Sequence, residues 1–185
     1  RRCATDDHRE RRALVSREIL LKRLQTHALV GQQRAHAIEL KLELREFADA
    51  NTAAAAKQQL LLDADPLGCG EWLVSLNSNS FALFPFLPAP TPAALGKWYE
   101  LRTYSLRQGK LAETIDAWQD ALPARHAMSP CVGAFTALDG EQPRFLNIWA
   151  YQSVDERAAI RADAVAKGLW PPKGGPANLT KMQSD

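Results

Sequence analysis

From Ile38 to Arg45, apolar and charged positions alternate without a break: Ile38, Leu40, Leu42 and Leu44 against Glu39, Lys41, Glu43 and Arg45. A period of two predicts a strand with one buried face. Upstream, residues 9–30 hold neither Pro nor Gly, and Leu14, Leu21, Leu24 and Ala28 share one helical seam, which predicts a helix closed by Gly31. Val15, Ile19 and Val30 fall outside that seam, so the helix is apolar on two sides. Its spare side would dock on a protein partner or across the chain's own sheet. After the strand, the Ala-rich residues 46–62 predict a second helix, and Pro66, Gly68 and Gly70 a turn. Residues 71–76 and 81–84 then predict two short strands around Asn77, Ser78, Asn79 and Ser80, which carry hairpin-loop chemistry.

Pro85, Pro88, Pro90 and Pro92 interrupt any regular element and predict a semi-rigid strap, a reading favoured over an SH3-type PxxP ligand. Beyond it the order repeats. Residues 98–106 are rich in aromatic and β-branched types and predict a strand. Leu111, Ile115, Trp118 and Leu122 follow at helical spacing, with Pro123 near the helix end. Residues 131–137 and 144–151 predict two strands around Asp139, Gly140 and Pro143. Ser153 and Glu156 have the spacing of a capping box and open a last helix, stopped by Gly168, Pro171 and Pro172.

The chain therefore reads β-α-β-β, strap, β-α-β-β-α. This predicts an α+β fold of tandem ferredoxin-like modules with an N-terminal helix, the two sheets stacked face to face. The divisions are a basic helical arm at 1–34, a degenerate ferredoxin-like module at 35–84, the Pro-rich strap at 85–96 and a second module at 97–185.

A length of 185 residues with 46% hydrophobic and 24% charged residues is ordinary for a globular protein and excludes disorder or a fibrous repeat. Net charge is only +2, but residues 1–34 carry nine Arg and Lys against four Asp and Glu. Such an arm would contact an anionic membrane surface peripherally. Its acids and its lack of interleaved aromatics argue against nucleic acid. The chain opens with Arg1 and Arg2, as expected of a presequence removed upstream or of trimming. Three cysteines with no CxxC pair argue against a disulfide scaffold or a structural zinc site, and His8, His27, His36 and His126 are too scattered for a metal site.

No dinucleotide or phosphate loop, H-E-x-x-H, G-x-S-x-G or C-x-x-C motif is present, so no catalytic residue, metal or cofactor is assigned. Glu100 and Arg102 share one strand face and would point between stacked sheets. Together with Tyr104 and Asn147 they are the candidate ligand contacts; a structural ion pair is the plainer reading. Arg157 and Arg161, one turn apart, repel each other and need an acid, whether Asp155, Glu156 or a partner's surface. With Val15, Ile19 and Val30 they are the candidate partner contacts. Cys131 lacks an activating neighbour in sequence and reads as an inert thiol.

The second module resembles the NIPSNAP family in Tyr99-Glu100-Leu101-Arg102-Thr103-Tyr104, Gly109-Lys110 and Trp118. The resemblance continues through Val132-Gly133, Phe135-Thr136, Trp149-Ala150-Tyr151, Ser153, Arg157, Arg161, Trp170 and the closing Met182-Gln183-Ser184. It implies a fold of the dimeric α/β-barrel type and a mitochondrial setting, in the matrix or at the inner membrane. The chain departs from the family pattern at Leu138 (usually Glu), Gln142-Pro143 (Leu-Asn) and Asn147 (His), and so replaces groups able to exchange protons. These readings point to a non-catalytic protein, a structural or accessory subunit of a large mitochondrial assembly such as a respiratory complex, with other protein subunits as partners. One alternative is a small-molecule or haem-binding barrel with monooxygenase-like chemistry. Another is an adaptor at mitochondrial membranes.

Overall fold

The computed structural model describes residues 18–26, 28–30, 33–35, 41–65 and 73–184. Its elements run in this order: β1 (Glu18–Thr26), β2 (Ala28–Val30), β3 (Gln33–Ala35), β4 (Lys41–Phe47), α1 (Ala50–Leu62), β5 (Leu73–Leu83), β6 (Trp98–Leu106), α2 (Leu111–His126), β7 (Cys131–Ala137), β8 (Arg144–Tyr151), α3 (Val154–Ala166), α4 (Gly175–Asn178) and β9 (Leu179–Ser184). Seven strands form one sheet in the order β4-β1-β5-β7-β8-β6-β9, and β2 pairs with β3 separately. The architecture is mixed α and β on an antiparallel sheet, as expected in outline.

The predicted helix over residues 9–30 is not formed where the chain is described: residues 18–26 are a strand paired on both sides, with β4 from Glu18↔Phe47 to Leu24↔Lys41 and with β5 from Glu18↔Ala82 to Thr26↔Leu73. Freedom from Pro and Gly permits a helix without requiring one, and a segment apolar on two sides suits a strand between two others just as well. Residues 9–17 and His27 lie outside the described residues. The predicted hairpin at 77–80 is likewise replaced by one continuous strand. Asn77, Ser78, Asn79 and Ser80 sit opposite Arg23, Lys22, Leu21 and Leu20, and the ladder supplies the backbone partners that a turn would have supplied.

The expected stacking of two sheets is also replaced. The halves join edge to edge through Phe81↔Ala137, Ala82↔Thr136 and Leu83↔Phe135, giving one sheet instead of two layers. The first half runs strand, hairpin, strand, helix, strand, so its β-α-β-β order is not observed.

The second half follows its pattern closely. Strands β7-β8-β6-β9 with α2 and α3 give the β-α-β-β-α-β order of a ferredoxin-like unit, in which α4 and β9 are additions to the expected elements. Ser153 caps α3, its Oγ accepting from the Glu156 N–H at 3.0 Å. Helix α2 runs through Pro123 to His126. Under the helices lie Phe84, Tyr104, Leu106, Trp118, Leu122, Phe145, Trp149 and Tyr151. Phe81, Phe135, Ala137, Leu146 and Ile148 form a second cluster on the opposite face. The strap is no free spacer: Phe86 and Leu87 pack on the first cluster, because these large side chains gain more by burial than the prolines gain by extension.

Gly133 marks a bulge between β7 and β8. A Cβ there would stand 2.2 Å from Cζ of the fully buried Phe135 ring. Gly133→Ala is expected to lower the unfolding free energy by about 1–3 kcal/mol, the cost of overpacking, read from urea denaturation at unchanged slope.

Candidate functional site

Alternation along β6 sends Glu100, Arg102, Tyr104 and Leu106 to one face, and all four are buried. Register places Trp149, Asn147 and Phe145 of β8 directly opposite Glu100, Arg102 and Tyr104. The four candidate ligand contacts are therefore neighbours, but they lie beneath the helices and not between stacked sheets.

Glu100, 5% exposed, collects nearly every cation in reach. Its Oε1 accepts from Nη2 of Arg157 at 2.5 Å, Nη1 of Arg161 at 3.5 Å and Oγ of Ser184 at 2.8 Å, and Nη1 of Arg102 stands 3.6 Å away. Burial alone would raise this carboxyl. The hydrogen bonds from Arg157 and Ser184 and the charges of Arg102 and Arg157 outweigh it, holding the pKa below the usual 4.5. Asp155 and Glu156 are not the acids that settle Arg157 and Arg161; Glu156 instead accepts from the Gln152 N–H.

Arg102 also donates to the Met182 thioether and lies over the Tyr104 ring, 5.3 Å from its centroid. Tyr104 stacks on Phe145 at 4.9 Å, and burial pushes its hydroxyl pKa up. Asn147 is wholly buried; its Nδ2 donates to the Arg102 carbonyl at 3.1 Å and its Oδ1 accepts from the Trp149 indole at 2.7 Å. Glu100 and Asn147 thus have their polar groups engaged by the chain itself, while Nε of Arg102 is buried without a partner. The free space beside it, among Tyr104, Trp118, Phe145 and Trp170, is about 40 Å³, room for a water and too little for an aromatic ligand.

Of the candidate partner contacts, Arg157 and Arg161 are about one-third exposed and are turned onto Glu100. Ile19 and Val30 lie on β1 and β2, and Val15 lies outside the described residues.

Sequence reasoning missed Arg125, among the largest fully buried side chains of the described residues. Its Nη1 donates to Ser129 Oγ at 2.7 Å and its Nη2 to Tyr151 Oη at 3.1 Å, and its guanidinium lies 4.3 Å from the Trp149 ring centroid. The signal was present: Arg125 follows Leu122 at i+3 on the apolar stripe of α2. Nearby, burial pushes the Cys131 thiol up to about 12, which leaves almost no thiolate near neutral pH. Among the described residues no three His, Cys, Asp or Glu side chains converge as a metal site would require.

Residues 99–184 match the NIPSNAP family model. Human protein NipSnap homolog 2 is 31% identical over 100 residues, 54% of this chain and 35% of that protein. The Dictyostelium discoideum NipSnap homolog is 31% identical over 90 residues, 48% of this chain and 40% of that protein. The chain thus spans about a third of the length of these curated relatives. A crystal structure of an uncharacterized NIPSNAP domain protein from Burkholderia xenovorans is similar with a TM-score of 0.43 and 27% identity, covering 47% of this chain and 88% of that one.

Two outcomes follow for the site. The folded pKa of Glu100 lies below its unfolded value, so its contribution is present above about pH 4.5 and lost as pH falls through the folded pKa. Glu100→Gln is expected to lower stability at neutral pH by about 2–3 kcal/mol, less than for a fully desolvated pair because two partner arginines are partly solvated. That gap should close on acidification, as followed by urea titration at stepped pH. Cys131 in the native protein should resist iodoacetamide at about pH 8 and react once the chain is unfolded in urea, as read by mass of the peptide carrying it.

Proposed function

We propose that the chain, whose residues 99–184 match the NIPSNAP family model, is a non-catalytic component of a larger protein assembly, set in the mitochondrion as that resemblance implies. The carrying observation is the self-saturation of the candidate pocket. Glu100, the one carboxylate at its centre, is held by three guanidinium groups of the chain itself, and Asn147 bridges a backbone carbonyl and an indole. Groups engaged in this way fix strands and helix to one another and have little capacity left for a substrate. The high pKa of Cys131 and the narrow space by Trp118 support the same reading and weigh against the haem or monooxygenase alternative.

Trp98 and Tyr99 at the start of β6, Val154 at the start of α3 and Met182 on β9 are all exposed. Large apolar side chains left in water are the raw material of protein contacts, aromatics above all. Among the described residues no helix is long and apolar enough to cross a membrane.

Native electrophoresis of gently solubilised mitochondria carrying the tagged chain tests this. The chain should migrate with a particle many times its own mass of 20.5 kDa, and Trp98→Ser with Tyr99→Ser should release it while leaving its thermal unfolding intact. A chain that runs as a free, folded monomer in the mildest extracts overturns the proposal.

A further inference from the structure

The strap crosses the C-terminal end of α2 and leaves a groove of about 420 Å³ between them, lined by Phe86, Leu87, Leu122, Pro123, His126 and Cys131 among others. Its volume falls in the range of small-molecule sites, roughly 300–1,000 Å³. Three observations bear on what it would hold. The lining among the described residues is largely apolar and contains neither Asp nor Glu. The Nδ1 atom of His126 accepts the Cys131 N–H at 3.1 Å, which leaves Nε2–H of the neutral ring as a free donor on the exposed side chain. The residue before it on α2, Arg125, does not line the groove but is buried at 2% exposure, with the neutral hydroxyls of Ser129 and Tyr151 as its hydrogen-bond partners; no carboxylate stands within ion-pair distance of it among the described residues. A desolvated cation without a counter-ion makes its surroundings positive, and low polarity carries that field further than water would.

We propose that this groove is a binding site for a small organic anion with an apolar body, an aryl or acyl carboxylate or sulfonate, whose body lies between the strap and α2 and whose head takes the His126 Nε2–H in the field of Arg125. The site is separate from the Glu100 cluster and stands whether or not the chain belongs to an assembly.

Two dyes with the same aromatic body separate the terms: 8-anilinonaphthalene-1-sulfonate, an anion, and N-phenyl-1-naphthylamine, its neutral counterpart. Fluorescence titration of the full chain should give one site for the sulfonate, at least about tenfold tighter than the neutral dye, and dodecanoate should displace it. Gln119→Trp, at an exposed lining position, should weaken both dyes about tenfold or more by filling the groove, with circular dichroism unchanged. His126→Leu should narrow the difference between the dyes while keeping the neutral one bound. Should Gln119→Trp disturb folding, Thr91→Trp fills the same space from the strap. Equal affinity for the two dyes, or sulfonate binding indifferent to the filling variants, overturns the proposal.

Discussion

A carboxylate taken out of water must find cations and donors, and Glu100 finds three guanidinium groups on two elements and a hydroxyl on a third. Arg102 is its neighbour on β6, Arg157 and Arg161 reach down from α3, and Ser184 closes from β9. Each contact is modest alone; together they fix the position of a helix over a sheet and of an edge strand beside it. The stacked aromatics then have a defined gap to fill. Trp118, Trp149 and Trp170 meet edge to face at 4.8 and 5.5 Å, and Phe145 touches Trp118 and Tyr104 together. Polar placement and apolar packing are therefore one arrangement seen from two sides.

The second half of the chain was legible because its signals are local and agree with each other. The strand of residues 98–106, the stripe of Leu111, Ile115, Trp118 and Leu122, and the Ser153 cap each specify an element that the sheet also needs. The first half was not, because its outcome rests on pairing at long range. Nothing near residues 18–26 says that they will be flanked by β4 and β5, and nothing in Asn77 to Ser80 says that a neighbouring strand will claim their backbone groups. The docking of the strap was not legible for a related reason: its prolines are visible in the sequence, whereas the core that receives Phe86 and Leu87 is assembled elsewhere.

The site was half legible. Strand alternation grouped Glu100, Arg102 and Tyr104, and spacing paired Arg157 with Arg161. Neither reveals that the two groups need one another, since β6 and α3 are separated by a helix and two strands along the chain. Arg125 was overlooked because a basic residue near a helix end is ordinarily a solvated one. The residue sits on the apolar stripe, and the hydroxyls of Ser129 and Tyr151 make that burial tolerable.

The seam between β5 and β7 holds the two halves with three residue pairs, reinforced where Lys57 reaches Asp139 and where Arg144 meets Asn79. Even with the flanking bonds from the Leu138 N–H to the Ser80 carbonyl and from the Phe84 N–H to the Ala134 carbonyl, this join is shorter than the ladders of seven or more pairs on either side of it, and it is where the sheet would part first. A parting there would leave the packed rings of Trp118, Phe145, Trp149 and Trp170 in contact, since all four lie in the second half. Damage on one side of the seam need not propagate to the other.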